Sequence, residues 1–494
     1  MNFGRLSDGI RLYHQPHHGH DGHGAPAPGW ADSSSHSILD TGGNSAGDGG
    51  NGFFSGSEVN VPVAFFTPLD ATSAGIHGEV DAHQSNAVQI DQHAVQIAGI
   101  GGTGGNDNAA LGGNISAFAP GSGSADGWLV GSGMIDSGAN AAGNGGGGYF
   151  YGGIVHASMV VYEPINISVA AGYDSTALAD QTNNASFNQS ALQMAGLGGN
   201  GGDGNVAAGG SAALSSPAAA SELIATGGDG AGNGGSGYFS GTLVDAPIVI
   251  YHPINLAIAG PGGTADASQA NTVAIDQSAV QIAGIGGNGG NGNAAIGGNI
   301  MLSGYGSPSD GWQIESGGNQ AGNGGDGNFH GSLVHTSVVV YDPVNIAVAG
   351  YNSTTEAHQT NNVALDQSSS QTAGVGGNGG SGSGNVAMGG NAGIAAASLG
   401  SGSDAIATGD NGAGNGGSGH FSGSLIDVSI AIYAPINIAI AGPHSTAEAD
   451  QANNVHIDQS AIQMAGIGGN GGHDNFALGG DVAAHLLSDL HLVA

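Results

Sequence analysis

The chain has 494 residues with 101 glycines, no cysteine and two basic residues, Arg5 and Arg11, against 37 acids, giving a formal charge of −35 at pH 7. Such a charge repels phosphate backbones and anionic lipid headgroups, which argues against nucleic-acid and membrane-surface binding. Without cysteine, disulfides and thiolate metal sites are absent. The charged fraction of 8% is too low for a disordered acidic chain, and the 39% hydrophobic residues are mostly Ala, Val and Ile, the small and β-branched set that strands favour. No apolar run approaches the ~18 residues that mark a membrane-spanning helix, so membrane insertion is not expected.

The first stretch, MNFGRLSDGIRLYHQ, lacks the apolar core of a secretory signal peptide. The chain is therefore expected either to stay in the cell or to leave it by a route that does not read its N-terminus. It runs into YHQPHHGHDGH, which gathers His14, His17, His18, His20 and His23. Imidazoles at that density bind zinc, copper or nickel. The same stretch also reads as a polar arm, or as a leader that docks on a neighbouring subunit.

Beyond it the chain repeats itself. GDGGNGFFSG begins at Gly47, GNGGGGYFYG at Gly143, GNGGSGYFSG at Gly232, GNGGDGNFHG at Gly322 and GNGGSGHFSG at Gly414, at intervals of 96, 89, 90 and 92 residues. Each motif leads into a strand-like run, such as PIVIYHPINLAIAG from Pro247, then a variable patch, then a segment like IDQSAVQIAGIGGNGGNGNAAIGG from Ile275. The period divides the chain into a His-rich arm (1–40) and repeats at 41–136, 137–225, 226–315, 316–407 and 408–494. The last repeat ends in DVAAHLLSDLHLVA, which abandons the glycine pattern and reads as a capping strand or helix, or as a secretion signal.

Within the fourth repeat the tetrads NIAV (Asn345), NVAL (Asn362) and NVAM (Asn385) alternate apolar with small or polar residues and end near Gly, Asn or Asp. The alternation predicts short strands, and the flanking residues tolerate the positive φ of tight corners. The expected fold is all-β, a β-solenoid-like array of five modules of about 90 residues with glycine-rich turns or polyglycine-II segments. The alternative is a row of tandem β-sandwich domains of similar size.

The recurring pairs Asp91–Gln92, Asp276–Gln277, Asp366–Gln367 and Asp458–Gln459 admit a calcium-ligand or general-base role, but Asn188–Gln189 replaces the carboxylate in the second module. The bland reading fits better: a corner residue bonding its own backbone, followed by glutamines stacked in an amide ladder. The glycine tails resemble the calcium-binding nonapeptides of RTX proteins. Asp107 and Asp474 keep a carboxylate there, whereas GGNGNAAI (Gly289) and GGSGSGNVAM (Gly379) have lost it. The IDQSAVQ segment resembles a curlin repeat, in which Asn and Gln stack between short strands. Both resemblances imply a secreted, self-associating bacterial surface protein, and the tail looks like the uncleaved C-terminal signal of type I secretion.

Catalysis is not expected. Lyases acting on uronates need a basic residue or a bound cation to stabilise developing charge, and no Lys or Arg follows Arg11. No acidic pair stands apart from the repeat to serve a hydrolase. The sequence thus points to an extracellular structural protein that polymerises head to tail into filaments or a surface matrix. The alternative is a repeat adhesin binding a surface, glycan or calcium. The sequence assigns no definite cofactor; Ca²⁺, or a transition metal on the His-rich arm, and cell-surface polysaccharide are the candidate ligands.

Overall fold

Every strand pairs, in parallel and in register, with its counterpart one module away. The computed structural model describes residues 38–40, 43–118, 134–136, 138–215, 223–304, 313–380, 384–396, 405–408, 410–479 and 482–486. Over these residues one module makes one coil, and five coils stack into eight parallel sheets. The register reproduces the sequence period: hydrogen bonds from Asn144 to Asp48, Asn233 to Asn144, Asn323 to Asn233 and Asn415 to Asn323 span 96, 89, 90 and 92 residues. The strands of each module are completed by those of its neighbours, so the modules form one repetitive all-β array of stacked parallel strands.

The coil is larger than the tetrads suggested. The three tetrads of the fourth module do not stack on one another. Asn345 pairs with Asn437 and Asn255, and Asn362 with Asn454 and Thr272. Nor are the strands uniformly short, since Thr354–Asp366 runs 13 residues and Gly327–Tyr341 runs 15. Stacking identical segments puts like side chains in columns, which lets a long strand propagate from coil to coil.

Two legs form the body of each coil. In the third coil an outgoing leg comprises Gly237–Asp245, Ile248–Tyr251 and Ile254–Ala259, and a returning leg comprises Thr264–Asp276 and Ala279–Ile285. The corner between them takes positive φ at His77, Asp174, Gly262, Asn352 and His444 in successive coils, residue types that tolerate the left-handed region. Prolines punctuate the outgoing leg. Pro62 and Pro247 have no N–H to give, and the leg is split near them in the first and third coils; Ser158 stands between them in the second coil, where the leg is split as well, and in the last two coils, with Ser337 and Ser429, it is one continuous strand.

The legs pack face to face. Val249 and Tyr251 meet Val273 and Ile275 in one cluster, Ala257 and Ala259 meet Ala265 and Ala267 in a second, and Phe239 and Leu243 meet Ala283 in a third. Rings stack along the array. Phe150, Phe239 and Phe329 lie 5.1 and 4.9 Å apart between centroids, and Tyr251 lies 4.9 Å from Tyr341 with 1° between planes.

Beside the legs, two glycine segments per coil pack without side chains. Gly198 and Gly201, three residues apart, donate to Ile285 and Asn288 of the next coil, while Gly199 and Gly202 donate to Gly146 and Gly143 of the other glycine segment. Gly199 in turn accepts from Gly235. Bonds leaving a segment in several directions with a period of three are the pattern of polyglycine II, a three-residue-per-turn helix. A Cβ on Gly198 would lie 1.8 Å from the Gly235 oxygen, so no side chain fits. Short strands such as Ala294–Ile296 and an alanine cluster around Ala207, Ala231 and Ala295 complete the coil.

Candidate functional site: the ladders and the open ends of the array

Between the apolar clusters, the inner faces of the legs carry columns of buried polar side chains. Three glutamine columns run through all five coils. Gln181 donates to Gln84 at 2.6 Å and Gln269 to Gln181 at 2.7 Å. Gln277 donates to Gln189 at 2.9 Å, and Gln281 to Gln193 at 2.8 Å. Each amide also bonds a carbonyl of the facing leg: Gln269 reaches Pro253, Gln277 reaches Val338 and Gln281 reaches Val334. The ladders thus tie coil to coil and leg to leg, satisfying groups whose orphaning would cost roughly 1–3 kcal/mol each.

Asparagine columns run with the opposite polarity. Asn183 donates to Asn271, which donates to Asn361, and Asn255 donates to Asn345, which donates to Asn437. Tyr251 and Tyr341 hydroxyls donate to Asn271 and Asn361, both at 2.8 Å, and burial raises both phenols above their usual range. One column interleaves histidine and aspartate. Buried Asp245 holds His156 Nδ1 at 2.8 Å on one side and His335 Nδ1 at 3.0 Å on the other. A second buried carboxylate, Asp229, interrupts the column Asn44, Asn140, Asp229, Asn319, Asn411. Desolvation raises its pKa to about 6 against the hydrogen bonds from Asn140.

The Asp–Gln motif has the structural role its sequence suggested. Asp276 accepts from Ser278 N and Oγ two residues on, fixing the corner, and Gln277 enters a ladder. Asn188 makes the same turn with Ser190, which is why an amide replaces the acid without further change.

His14, His17, His18, His20 and His23 lie outside the described residues. Asp107 and Asp474 occupy left-handed corners, φ 55° and 57°, in the first and last coils, where the middle coils have Gly204, Gly292 and Gly384. Their columns therefore bring no second carboxylate between them. Among the described residues the group with metal-ligand geometry is Asp81, His83 and Asp180 on the exposed face of the returning leg. His83 already spends both ring nitrogens there, Nε2 at 2.8 Å from Asp81 and Nδ1 at 3.1 Å from Asp180. The aromatic columns and the asparagine ladder at Asn183 were not singled out in the sequence. Their signal was there in the aromatic residue at one fixed place in each strand run, Phe66 in the first and tyrosine in the other four.

Among the described residues, the first and last coils each leave one edge of every sheet unpaired, and the ladders arrive there with defined polarity. The last coil turns carbonyl oxygens of Gln451, Gln459 and Gln463 to its free side, because their amides donate backward to Gln359, Gln367 and Gln371. It turns the amide of Asn453 outward, since that residue's oxygen accepts from Asn361. The first coil has the converse: amides at Gln84, Gln92 and Gln96, and an oxygen at Asn86. Comparison with protein-family models, with curated proteins and with solved structures finds no match in any of the three.

Proposed function

We propose that this chain is an extracellular structural protein whose copies stack end to end, last coil on first coil, into filaments. What supports the reading is the fit of the two free edges. Placed in the register that already joins the coils, Gln451, Gln459 and Gln463 meet Gln84, Gln92 and Gln96, Tyr433 meets Phe66 and Phe421 meets Phe54. Asp70 sharpens the fit. It occupies the first place of the asparagine column continued by Asn166, Asn255, Asn345 and Asn437. Being an acceptor only, it leaves Asn166 Oδ1 without a donor inside the chain, but it suits the outward amide of Asn437 of a preceding copy.

Glu58 opposes the fit. It stands where Ile154, Leu243, Leu333 and Leu425 continue the column, so a preceding copy buries it beside Leu425 at a cost. The net charge adds long-range repulsion, screened beyond about 8–10 Å at physiological salt. Assembly is therefore expected to accelerate with ionic strength and in a Glu58→Leu chain.

Electron microscopy and light scattering of the purified chain test the reading. Ala447→Lys with Ala449→Lys puts two charges on the inner face of the last coil, where both positions are exposed because no further coil covers them. Filaments should shorten to single five-coil units with unchanged circular dichroism. Filaments of undiminished length would remove the end-stacking reading.

A further inference from the structure

End stacking leaves one large feature unused. The outward face of the outgoing leg is apolar, while its inward face carries the Phe239, Leu243, Val249 and Tyr251 core together with the Asn255 ladder and the Asp245 column. In the third coil Val244, Ile248, Ile250, Ile254, Leu256 and Ile258 point outward, and the registered coils above and below repeat the pattern with Val, Ile, Met and Leu. The last coil leaves Ile432 49% and Ile440 52% exposed. The segments before and after the column Pro68, Pro164, Pro253, Pro343 and Pro435 lie on one side of the body, because both pack their inner faces against the same 13-residue returning strands.

The patch is too large for a solvent-facing surface. Fifteen residues of strand at ~3.3 Å each and five coils at ~4.8 Å give a face of about 50 by 24 Å, or on the order of 1,200 Å². Exposed apolar patches on monomers are typically about 300–600 Å², and a standard protein interface buries about 800 Å² per partner. The column Thr67, Glu163, His252, Asp342, Ala434 is the titratable interruption of this face, and within it His252 Nδ1 pairs with Asp342 at 2.8 Å. The returning leg's outward face, by contrast, has Asp81, Asp180, Asp266, Glu356 and Asp450.

We infer that the outgoing-leg face is a lateral interface that takes a second copy of this chain, face to face about 10 Å apart. In-register columns of identical β-branched side chains form parallel ridges and grooves, the geometry that interdigitates with another sheet of the same kind. Meeting through this face keeps both acidic returning legs in water, so close approach is least opposed by charge. The pairing needs only the lateral face, so it holds for single five-coil units whether or not their ends stack.

The chain's lack of cysteine makes the test clean. Ile250→Cys treated with a short bis-maleimide should give covalent dimer as the main product, and Thr272→Cys on the returning leg should stay monomeric. Ile250→Glu with Leu256→Glu should abolish the dimer in sedimentation velocity while circular dichroism is unchanged. Adding Ile250→Cys to the Ala447→Lys, Ala449→Lys chain should still give the cross-linked dimer, which separates lateral pairing from end stacking. Equal cross-linking from both faces, or none from Ile250→Cys, overturns the proposal. So does a dimer that survives the two glutamates. Flotation of the native chain with phosphatidylcholine vesicles, lost in the glutamate variant, also overturns it, because the face then serves lipid.

Discussion

The legs and the glycine bundle solve one problem in opposite ways. Both must join coil to coil in parallel, but the legs do it with stacked side chains and the bundle by having none. In the legs each column needs one kind of group, and Ile154, Leu243 and Leu333 substitute for one another freely. In the bundle, backbone meets backbone on several sides, and a single methyl has nowhere to go. Side-chain packing therefore tolerates drift while backbone packing does not, which is why the glycine motif is what stays recognisable across all five modules.

Breaking the bundle should cost most. Gly287→Ala places a Cβ 2.0 Å from the Gly199 oxygen and should lose roughly 3–5 kcal/mol in chemical denaturation, or fail to fold. In the legs, Gln281→Leu removes the donor to Gln193 Oε1 and to the Val334 carbonyl and one of the two acceptors of the Gln371 amide, for a loss of roughly 2–4 kcal/mol. If the alanine variant is the milder of the two, the comparison is wrong.

A third change should stabilise the protein. Asp229 has a folded pKa of about 6, above its ordinary value of 3.8, so the native state holds its proton more tightly than the unfolded chain does. Its contribution is complete below about pH 4 and is lost as pH rises through about 6. Asp229→Asn restores the amide column, and the gain over the native chain should grow from near zero at pH 4 to roughly 1–2 kcal/mol at pH 8, measured by denaturation at both values. The smallest effect belongs to the outward face. Ile258→Val in a monomeric background should change stability by no more than about 0.5 kcal/mol, because that side chain is only half buried.

Much of this was legible beforehand because it is local chemistry. An acid followed two residues later by Ser can satisfy its own corner wherever it stands, so the role of Asp276 and Asp366 followed from the motif, and Asn188 confirmed that charge was dispensable. The interval between glycine motifs became the hydrogen-bond register directly. The aromatic columns were not found: an aromatic residue recurs at one place in each run, but nothing local shows that these rings face the same way until the modules stack.

What the sequence determined alone was the all-β class, the period, the corners and the glutamine ladders, each set by short-range preference or simple repetition. Tertiary structure decided how many strands close one coil and which face of each strand turns inward. The tetrads show why. Asn345–Val348 buries its Asn and Ala and turns Ile346 and Val348 out, whereas Asn362–Leu365 buries Val363 and Leu365 and turns its Asn out. Four residues with the same pattern take opposite orientations, because a two-residue alternation specifies two faces but not which one meets the other leg. That choice belongs to the facing strand, a dozen or more residues away, and the chain makes it only when the legs close.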